Sequence, residues 1–450
     1  MERSADQLRR DALRIWQAGL EAVRSERLVR NTVHVEGATL SIGDDEIDLS
    51  RVRRIIVVGA GKAGAGMAEG LEQALGSPLP GDKPLIGWVN VPDDCVRSLA
   101  RIHLHGARPA GINEPTAAGM AGAVEIRRLV ETASPDDLCI ALISGGASAL
   151  LPDPIEGVSL TDKLEITRFL SAAGANIEEL NTVRKQLSRL KGGGLARACR
   201  AGQLYALIIS DVLGDPLDII GSGLTVPNTS TAGDAVAVLD QYHAPPRFRR
   251  GAIGVRVDPP PSCEVHNRVI GNNAAAVDAA GAEARRQGYS PAMVSAMHCE
   301  GPAEDVGRAL AAMAIRMRQE AGPDCLISGG EPVVRLAPPE IRGRGGRNQQ
   351  LVLAAMQHLA TLALPRGNGA SGIALLSAGT DGEDGPTDAA GAICDAAIIA
   401  EARRRNLDLA DHLARNDAYP LFDQLGALIK TGPTHTNVCD VRVVVVDRQV

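Results

Sequence analysis

Short runs of aliphatic residues recur along the chain, separated by longer Ala-rich stretches whose apolar positions repeat at helical spacing. The runs at 54–58, 85–91, 138–143, 204–209, 268–271, 325–327, 373–376 and 441–446 predict strands. Some, such as LCIALI at 138–143, are apolar at every position instead of every second one, as strands covered on both faces are. Strand and helix alternate as in a mostly parallel sheet with helices on both faces, an α/β fold. Nearly all the runs end in Gly, Ser or Asp. In open α/β sheets the ligand lies beyond the carboxyl ends of the strands, so chemistry is to be sought at these endings.

At 450 residues the chain exceeds one ordinary core, and two domains or one large domain with an insertion are expected. The rhythm breaks where HAPPRFRR and DPPP form a proline-rich stretch, read as a surface excursion over 246–265. That sets an N-terminal domain at 1–245 and a C-terminal region at 266–450. ISGGA at 143–147 and ISGGE at 327–331 are alike, and read as the same tight turn after a strand in each half, by remote duplication or by coincidence. An apolar helix face at Leu13, Trp16, Leu20 and Val23 packs either internally or between subunits of a homodimer.

Several strand endings carry candidate chemistry. IIVVGAGKAG at 55–64 is formally G-x-G-x-x-G on a strand, turn and helix, the setting of a dinucleotide fingerprint. The acidic residue that would hold the ribose at the end of the second strand is poorly placed, because that strand ends in Asn90-Val91-Pro92-Asp93. Lys62 inside the loop suits a phosphate or carboxylate beside helix-start amides, although no Walker loop is present. Ser144-Gly145-Gly146-Ala147-Ser148 resembles an anion nest, and lacks the G-x-S-x-G of a hydrolase. In NTVRKQLSRLKGGGL at 181–195, Arg184, Lys185 and Lys191 either face a ligand or form a solvated basic face.

Asp211 follows a buried strand, where a phosphotransferase would hold Mg2+ or orient a hydroxyl. RGRGGRNQQ at 342–350 opens a helix with three arginines among glycines, and Arg347 with Asn348 best fits a transferring phosphoryl group. SAGTDGEDGPTDAAG at 377–391 gathers four acids within eight residues, including Asp381 and Asp384, which would suit a divalent cation but not an EF-hand. TGPTHTNVCD at 431–440 supplies hydroxyls and an amide before the last strand, with His435 read as an ordinary loop histidine or a titrating one.

Composition narrows the partners. Lys plus Arg total 47 against 54 Asp plus Glu, a net charge of −7 without a long basic run, and aromatics are only 2%. Both argue against nucleic acid. No apolar run reaches the roughly 18 residues of a membrane span, and MERSADQLRR lacks a signal peptide's apolar core, so a cytoplasmic address is expected. The eight cysteines are scattered without CxxC or metal spacing and read as buried, reduced thiols.

Together the motifs resemble the glycerate 2-kinase family over nearly the whole chain. GKA at Lys62, SGG-SALL from Ser144, KGG after Lys191, SDV-GD from Ser210, GGE from Gly329, GRGGRNQ from Gly343, AGTDG-DGPTDAAGA from Ala378 and TGPT-TNV from Thr431 occur in family order. The resemblance implies a Rossmann-like kinase domain plus a smaller α/β, MOFRL-like domain at about 320–440, with the active site in an interdomain cleft. It implies ATP and Mg2+ as cosubstrates, D-glycerate as acceptor and 2-phosphoglycerate as product. Lys62 and Arg347 match the family's active-site cation pair, with Asp211 or Asp381 orienting the hydroxyl or the metal. Gly61, Ser144, Gly145, Gly146, Ser148, Lys191, Gly346, Asn348, Thr380, Asp381, Thr434 and Asn437 would line the substrate and nucleotide sites, and Asp211, Asp381 and Asp384 the metal site.

The chain departs from the family pattern in three loops. GHP reads Ala107-Arg108-Pro109, SGPTVPD reads Ser222-Gly223-Leu224-Thr225-Val226-Pro227-Asn228, and GPTGTNVND carries His435 and Cys439. An NAD(P)H-dependent hydroxypyruvate reductase and a non-catalytic anion-binding protein are the alternatives.

Overall fold

The computed structural model describes residues 3–76, 79–252, 259–361, 363–364, 367–368 and 370–448. They form two compact units, a larger one of Ser25–Gly271 and a smaller one of Met1–Arg24 with Asn272–Val450. This partition differs at both ends from a boundary near 245. The first helix, α1 (Ala5–Ala22), belongs to the smaller unit because it buries Leu8, Ala12, Ile15, Trp16 and Leu20 there, with Trp16 Nε1 donating to the Ala378 carbonyl at 3.3 Å. Trp16, Leu20 and Val23 are buried within that unit, so the helix face is internal packing.

The larger unit opens with α2 (Ser25–Thr32) and an antiparallel meander, β1 (Val33–Glu36), β2 (Thr39–Ile42) and β3 (Asp45–Asp48). Its main sheet is built from β4 (Ile55–Ala60), α3 (Gly64–Leu75), β5 (Leu85–Pro92), β6 (Ile102–Arg108), α4 (Ala117–Glu131), β7 (Leu138–Ile143), α5 (Ala147–Leu150), α6 (Leu160–Ala172), α7 (Ile177–Gln186), α8 (Gly194–Ala198), β8 (Gln203–Ile209), α9 (Ala232–Gln241), α10 (Pro246–Ala252) and β9 (Glu264–Gly271). The six strands are all parallel, in the order β6-β5-β4-β7-β8-β9. Numbered from β4 this is 3-2-1-4-5-6, the doubly wound order, and its switch point falls between β4 and β7. One core under the sheet joins Ile56, Val58, Ile126, Ile143, Leu204 and Ile208. A second, helical core joins Ile166, Leu170, Leu180, Val183, Leu239 and Phe248 from α6, α7, α9 and α10. Of the proline-rich stretch, Pro246–Ala252 is helical, and 253–258 lies outside the described residues.

The smaller unit continues with α11 (Asn273–Arg286), β10 (Pro291–Ser295), α12 (Ala303–Gln319), β11 (Cys325–Gly330), α13 (Arg347–Thr361), the short pair β12 (Ala363–Leu364) and β13 (Gly367–Asn368), β14 (Ile373–Gly379), β15 (Gly391–Asp395), α14 (Ala396–Arg404), α15 (Leu409–Ala414), α16 (Ala418–Gln424), β16 (Leu428–Ile429) and β17 (Asp440–Val446). Its sheet runs β10-β11-β17-β14-β15-β16, with only β10 and β11 parallel. The valine run of β17 is central and buried on both faces, a pattern that looks the same in parallel and antiparallel sheets. The two ISGG segments do not make the same turn. Gly146 leaves β7 in a left-handed conformation at φ 81°, whereas Gly329 and Gly330 remain inside β11, paired with Val441 and Asp440.

Seven of the eight cysteines are buried and Cys299 is exposed, all as free thiols. Among the described residues no helix is long and apolar enough to cross a membrane.

Candidate functional site

In the larger unit the loops after β4, β7 and β8 lie side by side at the switch point. Any side chain on Gly61 would overlap the Ser144 hydroxyl, and any on Gly145 would overlap the Asp211 carboxylate. The backbone of the glycine loop is fully engaged. Gly61 N–H donates to Asn90 O at 3.2 Å, Lys62 N–H to Gly145 O at 2.8 Å, and Gly64 N–H to Gly61 O at 3.1 Å. Ala63 N–H donates to Ser144 Oγ at 3.0 Å. The amides on which a diphosphate would rest are therefore taken by the protein, and the contribution left to Lys62 is its side chain.

The position of the ribose acid is also filled otherwise. Asn90 is buried and donates from Nδ2 to Leu150 O at 2.8 Å and Gly119 O at 3.2 Å, while Trp88 Nε1 donates to its Oδ1 at 3.1 Å. Arg108, one of the departures, ends β6 at this same place. The Cβ position of Gly146 is 3.4 Å from Arg108 Nη2 and 3.6 Å from Lys62 Cγ. Lys62, Arg108 and Asp211 thus surround the Ser144-Gly145-Gly146 turn.

Behind this turn runs a buried polar chain. Lys191 Nζ donates to Ser148 O at 2.6 Å and to Ser148 Oγ at 2.5 Å. Ser148 Oγ meets Ser222 Oγ at 2.9 Å, and Ser222 donates to Asn181 Oδ1 at 2.9 Å. Lys191 is held well below the ordinary lysine range by burial first, then by Lys163 and Arg184. Lys163 was not singled out by motif. It occupies the apolar stripe of α6 with Ile166 and Leu170, and a lysine at a position where helical periodicity calls for an aliphatic residue is the signal that marks it. Lys185 pairs with Asp218 at 3.3 Å.

In the smaller unit the start of α13 organises a dense ionic cluster. Arg347 donates from Nε and Nη2 to the two oxygens of Asp440 at 2.7 and 2.9 Å, and from Nη1 to Glu331 at 2.9 Å. Asp440 is fully buried and also accepts from Asn348 Nδ2 at 2.9 Å. Asp384 accepts the Asn348 and Gln349 backbone N–H groups at 3.0 and 2.8 Å, so it caps α13, and Gly346 is small because Asp384 lies against it. Burial pushes Asp384 up to about 7, with Asp440 adding to the rise and the two amides and Arg347 opposing it. Burial also raises Glu331, against the pull of Arg347.

Arg342 and Arg344 serve the loop: Arg342 Nε donates to Ala337 O at 2.9 Å, and Arg344 stacks on Tyr419 at 4.2 Å. Thr380 Oγ1 donates to Cys439 O at 2.7 Å and accepts from Val438 N–H at 2.8 Å, Thr434 N–H donates to Asp381 O at 3.1 Å, and Asn437 Oδ1 accepts Cys439 N–H at 3.1 Å. These contacts knit the acidic and hydroxyl loops together. His435 and Cys439 both sit at left-handed φ, 57° and 68°.

Among the described residues no three His, Cys, Asp or Glu side chains gather as a metal-binding set. Asp384, with both oxygens on helix amides, is unsuited to a cation. Asp211, beside the Ser144–Gly146 turn, has the chemistry of the one or two carboxylates with which Mg2+ is held when phosphate oxygens supply other ligands.

Residues 11–252 match the model of a domain of unknown function, DUF4147, and 324–440 match the MOFRL family. The zebrafish (Danio rerio) glycerate kinase is 34% identical over 95% of this chain and 96% of its own. A protein named as a putative hydroxypyruvate reductase from Agrobacterium vitis is 37% identical over 87% of each chain. The crystal structure of glycerate kinase from Thermotoga maritima superposes with a TM-score of 0.81 at 32% identity, covering 98% of this chain and 100% of that one.

Proposed function

Because the chain belongs to the glycerate kinase family, we propose that it is an ATP-dependent kinase that transfers the terminal phosphoryl group to the 2-hydroxyl of D-glycerate, giving 2-phosphoglycerate and ADP. The observation that carries the site assignment is the gathering of Lys62, Arg108 and Asp211 around the Ser144-Gly145-Gly146 turn at the switch point. Phosphoryl transfer asks for positioning and charge stabilisation and not for a covalent intermediate, so a cationic rim with one carboxylate meets its needs. Lys62 is the proposed charge partner of the reacting anions, and Asp211 the residue that would hold Mg2+ or orient the acceptor hydroxyl. Bound there, the ion would neutralise charge on the phosphates. In the smaller unit Arg347 is proposed to contribute charge while Asp440 and Glu331 fix its orientation. A cytoplasmic setting remains the reading from composition.

The name carried by the Agrobacterium relative makes a reductase the second reading. Against it stand the occupied amides of residues 61–64 and the buried Asn90 at the ribose position. A coupled ADP-release assay over D-glycerate, L-glycerate and related hydroxy acids tests the proposal, with phosphorus NMR to locate the product phosphate. Phosphate on the 3-oxygen would overturn the regiochemistry. NADH oxidation with hydroxypyruvate in the absence of glycerate-dependent ADP release would overturn the kinase.

A further inference from the structure

Lys163 on α6 and Arg184 on α7 of the larger unit lie near Lys191, and the acids beside this group are shared with other cations. Lys163 is 5% exposed and its Nζ has no hydrogen-bond acceptor among the described residues. Asn181 is 3% exposed, and because its Oδ1 is used by Ser222, its Nδ2 is left as a donor that has no acceptor among the described residues. Arg184 stands one helical turn from Asn181, and Lys191 is tied to Asn181 through Ser148 and Ser222. Burial is the main reason both lysines are disfavoured as cations; Lys163 and Arg184 add to it at Lys191, and at Lys163 the effect of Arg184 is opposed by Asp153. The acid facing Lys163 is Asp153, which already accepts from Arg127 Nε at 2.8 Å, and the neighbouring Lys185 has Asp218.

Buried donors and like charges cost stability when unmatched, and an anion that meets several of them at one place offsets that cost. We propose that Lys163, Arg184 and Lys191, with the Asn181 amide, form the seat of a phosphate group, carried by the nucleotide or by the phosphorylated product. A lone carboxylate offers one charge and two oxygens to these donors, whereas a phosphate group brings up to two or three charges and several acceptor oxygens, enough to favour the charged form of the buried lysines. The inference deepens the kinase reading by naming the residues that hold phosphate, and it rests on that reading only for the identity of the molecule carrying it.

Titration calorimetry on the full chain without turnover tests it, using ATP, ADP, inorganic phosphate, 2-phosphoglycerate and D-glycerate as separate probes. Lys163→Met is expected to weaken at least one phosphate-bearing probe roughly tenfold or more, as the loss of a charge-assisted contact would, and to leave D-glycerate unchanged. The probe most affected distinguishes nucleotide from product. Lys163→Arg, which keeps the cation, should retain binding. Without ligand, Lys163→Met should melt at or above the wild-type temperature, because it removes a buried amine lacking an acceptor, and it should gain less from added ATP or phosphoglycerate. At pH 8 the wild type, whose Lys163 is pushed down to about 8 by burial, should take up more protons on binding phosphate than Lys163→Met does, read by comparing Tris with HEPES. Unchanged phosphate affinities in Lys163→Met, a selective loss of glycerate, or equal losses in the Met and Arg variants would each overturn the seat. Because binding is read directly, failure of the kinase assay would leave this result standing, and the reverse also holds.

Discussion

The Ser144 hydroxyl accepts the Ala63 amide at 3.0 Å, so the residue after one strand of the switch point caps the helix that follows the other. This bond lies where a dinucleotide-binding fold would leave the amide for pyrophosphate. Ser144→Ala would strand a buried N–H and is expected to cost about 1 to 3 kcal/mol of stability, measured by denaturant unfolding. NADH and NADPH should show no saturable binding to the wild type by fluorescence titration. Saturable NADH binding that Ser144→Ala strengthens would mean that the fingerprint works as a dinucleotide site after all.

Arg347 carries a structural load as well as its proposed catalytic one. Removing it leaves Asp440, which is fully buried, facing Glu331 without its guanidinium partner. Arg347→Ala is therefore expected to lose about 3 to 5 kcal/mol, whereas Lys62→Ala should lower kcat/KM by roughly a hundredfold with a much smaller change in melting temperature. Steady-state kinetics and thermal melts on both variants separate the effects. An Arg347→Ala variant that melts like the wild type would show that Asp440 does not depend on it.

The altered loop at 435–439 offers a stabilising change. His435 holds φ 57°, a left-handed conformation that costs a non-glycine residue about 1 kcal/mol, and the resemblance places glycine there. His435→Gly should recover about that amount, less what glycine adds to the freedom of the unfolded chain. Equilibrium unfolding decides it, and a clear destabilisation would mean that the imidazole makes contacts worth more than the strain.

Much of this was legible in the chain. The larger unit's strands at Ile55–Ala60 and Leu138–Ile143 were readable because parallel strands buried on both faces are apolar throughout. The meander at Val33–Asp48 was not, because its four-residue strands alternate burial and are largely polar. Arg108 was visible only as a departure from a motif, and the fold gives it a position beside Lys62 and Gly146. Asp384 looked like a cation ligand among neighbouring acids, but spacing cannot say that its oxygens face the amides of a helix that begins some 37 residues earlier, at Arg347.

Asp384 also gives the smaller unit a pH dependence of definite sign. Its ordinary value of 3.8 describes the unfolded chain, and burial pushes it up to about 7 in the folded one. Between these values the folded chain keeps a proton that the unfolded chain has released. Stability should therefore fall as pH rises from about 4 to about 7 and level off above that. Asp384→Asn cannot titrate and should lack this component, even if its stability at any one pH differs through altered capping of α13. Urea unfolding of both proteins from pH 5 to 8 checks the assignment through the difference in slope, since the histidines and other acids are common to both. Parallel curves would mean that the Asn348 and Gln349 amides and Arg347 keep Asp384 ionised despite its burial.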